Sequence, residues 1–351
     1  MTQELIRSHI IPVTATVKSA LDVLDTLSGR IMLLFAVDEE NRLQGTVSGG
    51  DIRRALLRGV ALAAPVSEAM NTRFTAVESG EDPAKKVAEG KRRHLHLIPV
   101  TQNGVITDIL NLDRIKALLP IDVVMMAGGR GERLRPLTFK TPKPLLEVGG
   151  KPIIDRNVET LEDYGISNIF VTVNYLHEKI EEHFQRRNAE LQQPHAEVKC
   201  VLEPKRLGTL GSLSLVEGLH HDNVLVMNSD LLTSIDFDKM WHHHTESEAD
   251  LTMGAVPYSI SVPFAIMRTE GTRVTGLEEK PTYNYFANGG VYMMRRELLD
   301  RIPKGEYLDA PDFIQSLIAD GLRVEYFPIE GRWIDIGSPD DYRAANKLLS
   351  R

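Results

Sequence analysis

The densest group of side chains able to handle phosphate follows an apolar run: Met126-Ala127-Gly128-Gly129-Arg130-Gly131-Glu132-Arg133-Leu134-Arg135-Pro136-Leu137-Thr138, and then Thr141-Pro142-Lys143-Pro144-Leu145. Glycines at the end of a strand let the backbone turn sharply and aim its N–H groups at phosphate oxygens. Arginine and lysine add charge that can follow an anion. Leu134 stands where the third glycine of a dinucleotide fingerprint would be, and no glycine-lysine-serine/threonine triplet marks a Walker loop. The composition suits attack on the α-phosphorus of a nucleoside triphosphate with loss of pyrophosphate. There, positioning and electrostatics do most of the work, and one preorganised donor is worth about 10²–10³ in rate. Arg133 and Lys143 are the candidate donors.

Two carboxylates complete this chemistry. Val224-Leu225-Val226-Met227-Asn228-Ser229-Asp230 sets an acid at the end of a buried-type strand. Trp333-Ile334-Asp335-Ile336-Gly337-Ser338-Pro339 sets another just before a helix with Ser338 as its cap and Pro339 at its first position. Two acids converging on one Mg²⁺, with phosphate oxygens and water filling the other positions, is how this ion is commonly held. A phosphate nucleophile already carries negative charge, so neither a general base nor a Ser/His/Asp or Cys/His set is needed. Of the other conspicuous groups, His242-His243-His244 reads as the solvated face of a polar helix, because three adjacent residues cannot face one ion. Lys91-Arg92-Arg93-His94 reads as a solvated edge.

These groups need a scaffold. The chain has 351 residues, enough for about two domains, and a net charge of −8 that argues against a dedicated nucleic-acid binder. A single cysteine, Cys200, excludes an internal disulfide and a zinc cage, so the chain reads as cytosolic. The segment Met1–Ile11 lacks the apolar run of a signal peptide, and no stretch reaches the ~18 apolar residues of a membrane span. From Ile121 onward, apolar runs at 121–126, 169–173, 198–202 and 224–227 alternate with helical patterns at 153–164, 179–187 and 210–219. That alternation predicts an α/β fold with a doubly wound, mostly parallel, Rossmann-like sheet, which binds ligands at the carboxyl ends of its strands. Thr209 reads as the cap of the helix over 210–219.

The first 119 residues read as a separate α+β module. A weak repeat with an offset of about 63 residues relates copies at 5–62 and 66–119. Residues 31–57 read strand, turn, strand, helix, and 95–119 read the same way. Helical stretches at 17–27 and 83–89 precede them, and Pro120 breaks the chain between the modules.

The repeat resembles a tandem pair of CBS domains. Its most specific piece is Gly45-Thr46-Val47-Ser48-Gly49-Gly50-Asp51-Ile52-Arg53. In that family such a hydroxyl and carboxylate, here Ser48 and Asp51, hold the phosphate and ribose of an adenine nucleotide. The resemblance also implies homo-oligomers through pairing of the modules. In the second copy the matching turn, Asn111-Leu112-Asp113, has no hydroxyl residue.

The segment from Ile121 to about Tyr342 resembles the nucleotide-sugar pyrophosphorylases on Gly128–Leu134 and Pro142-Lys143-Pro144. The resemblance assigns the triphosphate to Ala127, Gly128, Gly129, Arg130 and Gly131. Glu203-Pro204-Lys205-Arg206-Leu207-Gly208-Thr209 resembles the loop that reads the base and closes over the nucleotide, which implies nucleotide contacts from Glu203, Gly208 and Thr209. Arg133 and Lys143 would act at the reacting phosphates, and Asp230 and Asp335 would hold Mg²⁺. Leu277-Glu278-Glu279-Lys280-Pro281 and Ala287-Asn288-Gly289-Gly290 match sugar-handling elements. They imply sugar-phosphate contacts from Glu279, Lys280, Asn288 and Gly289, with Asn174 beside them, and Lys280 as a catalytic charge. Where the family commonly has glycine, this chain has Ser229. The resemblance implies NTP plus sugar 1-phosphate giving NDP-sugar and diphosphate. The joined modules favour GTP and a hexose or hexosamine 1-phosphate, in precursor synthesis for nonulosonate-type surface sugars. UTP and dTTP stay open. The chain ends too soon after Tyr342 for an acyltransferase β-helix. A glycosyltransferase would want Asp-x-Asp where Asn228-Ser229-Asp230 stands. A non-catalytic nucleotide-sugar sensor would not need the full charged set.

Overall fold

The computed structural model describes residues 3–81, 83–190 and 196–349. The chain divides into two compact units, one formed mainly by residues up to Leu119 and the other mainly by those from Pro120 onward.

The first unit contains α1 (Gln3–Ser8), β1 (Ile10–Pro12), α2 (Val17–Thr26), β2 (Leu33–Val37), β3 (Leu43–Ser48) and α3 (Gly49–Leu57). There follow β4 (Val77–Glu78), α4 (Ala84–Arg92), β5 (Leu97–Gln102) and β6 (Val105–Asn111). Two three-stranded sheets share one plan, a parallel pair followed by an antiparallel pair, in the orders β1-β2-β3 and β4-β5-β6. The apolar stripe of α2, with Val17, Ala20 and Leu24 fully buried, packs on Leu34, Val47 and Ile52. Thr16 caps α2 by accepting from Ser19 N at 3.1 Å. Ser48 and Asp51 cap α3 reciprocally, Ser48 Oγ accepting from Asp51 N at 3.2 Å and Asp51 Oδ2 from Ser48 N at 2.9 Å. The helix expected within 105–119 is absent. Asn111 Oδ1 accepts from Asp113 N at 3.0 Å, and this local turn competes with a helical start in the few residues before Pro120.

The second unit opens with β7 (Ile121–Met126), and the glycine and arginine segment follows as short 3₁₀ turns. Then come the hairpin β8 (Glu147–Val148) and β9 (Lys151–Pro152), α5 (Ile153–Glu162), β10 (Asn168–Val173), α6 (His177–Glu190) and β11 (Glu197–Leu202). Next are β12 (Asn223–Asn228), β13 (Leu231–Thr233), α7 (Phe237–Glu246), β14 (Leu251–Ser261), β15 (Ile266–Glu270), β16 (Arg273–Glu278) and β17 (Thr282–Arg295). The chain closes with α8 (Ala310–Ala319), β18 (Val324–Pro328), β19 (Trp333–Asp335) and α9 (Pro339–Leu349). The main sheet has seven strands in the order β11-β10-β7-β12-β17-β14-β18. Four of its six pairings are parallel, and only β17 runs against its neighbours. Val123, Val124, Leu225 and Val226 are fully buried, as central strands covered on both faces require.

Two expectations fail here for identifiable reasons. Residues 210–219 hold only a 3₁₀ turn, Gly211–Leu215. Leu210 N and Gly211 N donate to Leu308 O at 2.9 and 3.1 Å, and a Cβ on Gly211 would meet Glu306 O at 2.3 Å, so the backbone is pinned to the 306–308 segment instead of coiling. The histidine run does lie on helix α7, but His244 is 2% exposed. Its Nε2–H donates to Asn223 Oδ1 at 3.2 Å and its Nδ1 accepts from the Thr252 hydroxyl at 2.9 Å, so it is a core residue.

Candidate active site

The carboxyl ends of β7 and β12 lie side by side, with Asn228 in register with Met126. Each strand therefore delivers its following residues to one edge of the sheet. Past β7 the chain turns through Gly128 and Gly129, and a Cβ on Gly128 would fall 2.4 Å from Glu203 Oε1. Glycine is required because the Glu203 carboxylate packs on that backbone. Glu203 is 5% exposed, and burial raises its pKa against hydrogen bonds from Leu207 N–H and Thr172 that lower it. Gly131 sits at φ +58°, and the Thr138 hydroxyl closes the turn by donating to Gly131 O at 2.8 Å.

Past β12, Ser229 is buried and donates through N and Oγ to Met126 O at 3.2 and 2.7 Å, tying the two strand ends together. Asn157 Nδ2 of α5 donates to Ser229 O at 3.1 Å. Asp230 comes next, and it meets Asp335 because β13 pairs with β19, which sets Leu231 opposite Asp335. The Lys143 ammonium donates to Asp230 Oδ2 and lies 3.5 Å from Asp335 Oδ1. Asp335 has its pKa raised, first by burial and then by the Asp230 charge, with Lys143 and Arg133 pulling it down. A Cβ on Gly337 would lie 3.0 Å from the Arg133 guanidinium, so Arg133 flanks the same acids.

Two adjoining cavities open on this cluster. One, of about 240 Å³, is lined by Ala127, Gly128, Gly129, Lys143, Glu203 and Asp230, among others. The other, of about 500 Å³, is walled by Asn288, Gly289, Tyr292, Trp333 and Asp335, and both share Thr209, Asn228 and Asp309. Asn288 Nδ2 donates to the Tyr292 hydroxyl at 2.8 Å, and Trp333 Nε1 to Gly289 O at 2.9 Å, so the wall of the larger cavity is fixed in place.

Not every candidate lies on these walls. Glu279 and Lys280 are exposed and line neither cavity. Arg130 is exposed and 3.9 Å from Glu132. Asn174 donates to Glu203 O at 2.9 Å, outside both cavities. Thr209 caps a helix, but a different one from that expected: its hydroxyl accepts from Ala310 N at 2.6 Å, at the start of α8. Asp309, which sequence reasoning missed, accepts from Thr209 N at 3.0 Å and from the Tyr307 hydroxyl at 2.7 Å. The Tyr307 bond leads in holding its pKa below the usual carboxylate range. Arg206, also missed as a site residue, adds a cation to the smaller cavity.

Whether a divalent cation fits can be asked of the acids. Asp230 Oδ1 is buried without a hydrogen-bond partner, and Lys143 supplies one positive charge to two carboxylates. Among the described residues no group of three or more His, Cys, Asp or Glu side chains could hold an ion. The donor set fits an ion such as Mg²⁺ that takes two carboxylates and completes its shell from substrate and water.

In this α/β protein a glycine turn, a lysine and two acids thus gather at the carboxyl edge of a mostly parallel sheet. The chain belongs to the nucleotidyl transferase family, whose model matches residues 122–351. It is 29% identical over 233 residues to a putative mannose-1-phosphate guanyltransferase of Sulfolobus acidocaldarius, covering 65% of this chain and 63% of that protein. It is 31% identical over 239 residues to mannose-1-phosphate guanylyltransferase of Mycobacterium tuberculosis, covering 66% of this chain and 65% of that one. The match therefore spans just under two thirds of these two relatives. A D-glycero-alpha-D-manno-heptose 1-phosphate guanylyltransferase of Aneurinibacillus thermoaerophilus is 28% identical over 234 residues, 65% of this chain and 98% of that protein. The crystal structure of HddC from Yersinia pseudotuberculosis shares the fold at a TM-score of 0.51 and 24% identity, over 65% of this chain and 99% of that one.

Proposed function

We propose that this chain transfers a nucleotidyl group from a nucleoside triphosphate to a sugar 1-phosphate, forming an NDP-sugar and diphosphate. The observation that carries this reading is the Lys143 ammonium set between Asp230 and Asp335 beside the Gly128–Gly129 turn. A phosphate oxygen of the sugar attacks the α-phosphorus, and the α–β bridging P–O bond breaks with its electron pair leaving on diphosphate. Backbone N–H groups of the glycine turn face the triphosphate, Lys143 and Arg133 stabilise the charge that grows on it, and Glu203, Gly208 and Thr209 shape the nucleotide side. Asn288 and Gly289 meet the sugar in the larger cavity. Asp230 and Asp335 would hold Mg²⁺, which offsets repulsion between the two phosphates. The exposed Glu279 and Lys280 reach the sugar phosphate only after the segment bearing them moves.

GTP is the favoured donor, on the support of relatives named as mannose and heptose 1-phosphate guanylyltransferases. A hexose or hexosamine 1-phosphate is the favoured acceptor, for surface-glycan precursors in the cytoplasm. No described helix is long and apolar enough to cross a membrane. For the first unit we propose a CBS-type regulatory module that binds an adenine nucleotide and pairs into homo-oligomers. A cavity of about 1270 Å³ with Ser48, His9, Arg30 and Asp113 in its wall supports this reading. Asp51 instead borders a separate recess with Arg54 and Arg58. A screen of diphosphate release across four NTPs and several sugar 1-phosphates tests the reaction. Release with GTP and one sugar 1-phosphate is expected, and no release with any pair refutes it.

A further inference from the structure

Thr209 and Asp309 stand in the walls of both cavities and touch each other from positions 100 residues apart in sequence. The segments that carry them are locked together. Leu308 N donates to Leu207 O at 2.9 Å, and Leu210 N and Gly211 N return to Leu308 O. Gly208 lies at φ +79°, where a Cβ would fall 2.6 Å from Leu308 O and 2.9 Å from Asp309 Oδ1. Leu207 and Leu210 are fully buried on one side of this contact, and Phe313 and Leu317 of α8 are buried on the other. With both backbones fixed, a message between the cavities has to pass through hydrogen bonds that side chains can exchange.

Counting donors and acceptors shows which bond can change hands. The Thr209 hydroxyl accepts from Ala310 N at 2.6 Å and has one proton to give, which goes to Asp309 Oδ1 at 3.3 Å. That is longer than the ~2.5–3.0 Å of an ordinary O–H···O bond. Asp309 Oδ1 also accepts from Thr209 N at 3.0 Å, so both of its lone pairs are taken. Asp309 Oδ2 accepts from the Tyr307 hydroxyl at 2.7 Å, and Tyr307 is exposed and lines neither cavity. The long Thr209 bond is therefore the weakest of the three that Asp309 receives. A phosphate oxygen only accepts, and it draws a hydroxyl proton into a short, charge-assisted bond. A sugar hydroxyl needs an acceptor, and a carboxylate oxygen with a free lone pair is a strong one.

We propose that Thr209 and Asp309 form a hydrogen-bond switch between the two cavities. A phosphate of the nucleotide in the smaller cavity takes the Thr209 proton, and the Asp309 oxygen so released accepts from a hydroxyl of the sugar in the larger one. Only the hydroxyl proton turns; the Thr209 oxygen stays in place and keeps its bond from Ala310 N. The switch rests on the reading given under Proposed function and makes Asp309 a specificity residue for the acceptor, with Thr209 as its positioning residue. By linkage, each ligand raises the affinity of the other by the same factor.

The test is calorimetric titration of the full chain with mannose 1-phosphate and with glucosamine 1-phosphate, in Mg²⁺. Each titration is made with and without saturating guanosine 5′-(α,β-methylene)triphosphate, which cannot release diphosphate. In wild type and in Thr209→Ser the analogue is expected to tighten sugar phosphate binding by about fivefold or more. Thr209→Val has no proton to hold Asp309 Oδ1, so without the analogue it is expected to bind the sugar phosphate several-fold more tightly than wild type, and the analogue then adds little. Loss of the α8 cap alone would weaken binding instead. Asp309→Asn is expected to weaken sugar phosphate binding by about tenfold in the presence of the analogue. Equal affinities with and without the analogue in wild type overturn the proposal. So does Thr209→Val that binds no tighter than wild type or keeps the full response, and so does unchanged binding in Asp309→Asn. Diphosphate release together with any of these results refutes the switch and leaves the reaction standing. Absence of both release and binding for every pair refutes the reaction, and the switch with it.

Discussion

Gly128→Ala tests whether the Glu203 carboxylate truly backs the phosphate turn. The added methyl would lie 2.4 Å from Glu203 Oε1 and 3.0 Å from its Cδ, so one of the two must retreat by about 1 Å to reach ordinary contact. Glu203 cannot swing into solvent freely, because it is 5% exposed and held by Leu207 N–H and Thr172. Overpacking of this kind costs about 1–3 kcal/mol. For a unit of this size that is a fall in melting temperature of about 2–4 °C per kcal/mol. The turn itself must also shift, so KM for the NTP is expected to rise more than KM for the sugar 1-phosphate. The control is a double-mutant cycle with Glu203→Ala, which removes the obstructing carboxylate. Residues in contact couple by about 0.5–3 kcal/mol, so Gly128→Ala should cost much less in the Glu203→Ala background. Thermal denaturation and initial rates on the four proteins decide it. Equal costs in both backgrounds would show that Glu203 does not pack on this turn and would refute the reasoning.

Other expectations follow from single contacts. Thr209→Val removes the hydroxyl that accepts from Ala310 N at 2.6 Å and is expected to cost about 1 kcal/mol by thermal denaturation. Asp309→Asn leaves the fold intact but loosens the Gly208–Thr209 loop, and a raised KM for the NTP would show it; unaltered kinetics would remove Asp309 from the site. Asp122 is fully buried and accepts from His220 N, His221 N and Asn168 Nδ2 at 2.6, 2.8 and 2.8 Å, so Asp122→Ala is expected to cost several kcal/mol, on the order of 3 or more. His244 has its pKa lowered to about 4, chiefly by burial. Its neutral form stabilises the fold above the unfolded value near 6.5, and that contribution is lost as pH falls toward 4. The loss amounts to about 3 kcal/mol. Melting curves at pH 7 and pH 4.5 should therefore show a smaller acid loss in His244→Gln than in wild type.

The mostly parallel sheet was legible because its central strands read as unbroken apolar runs, which partial burial would have interrupted. The pairing of Asp230 with Asp335 was legible as an expectation from two strand-end acids, although the contact depends on β13 meeting β19 across a hundred residues. Asp309 was not legible, because an aspartate before Ala-Pro reads only as a helix cap, and its contact with Thr209 is made by tertiary packing. The 210–219 segment misled because leucines at helical spacing outweighed Gly211, whose need for close approach to Glu306 O is invisible locally. His244 misled for the opposite reason: its neighbours are polar, while its partners Thr252 and Asn223 come from other strands.

The most direct test is the rate of diphosphate release at saturating GTP, sugar 1-phosphate and Mg²⁺, for wild type, Asp230→Asn and Asp335→Asn. The expected result is a loss of about 10²–10³ in kcat for each variant, with melting temperatures near that of wild type and no compensation by added sugar 1-phosphate. Turnover at the wild-type rate in both variants would contradict the account.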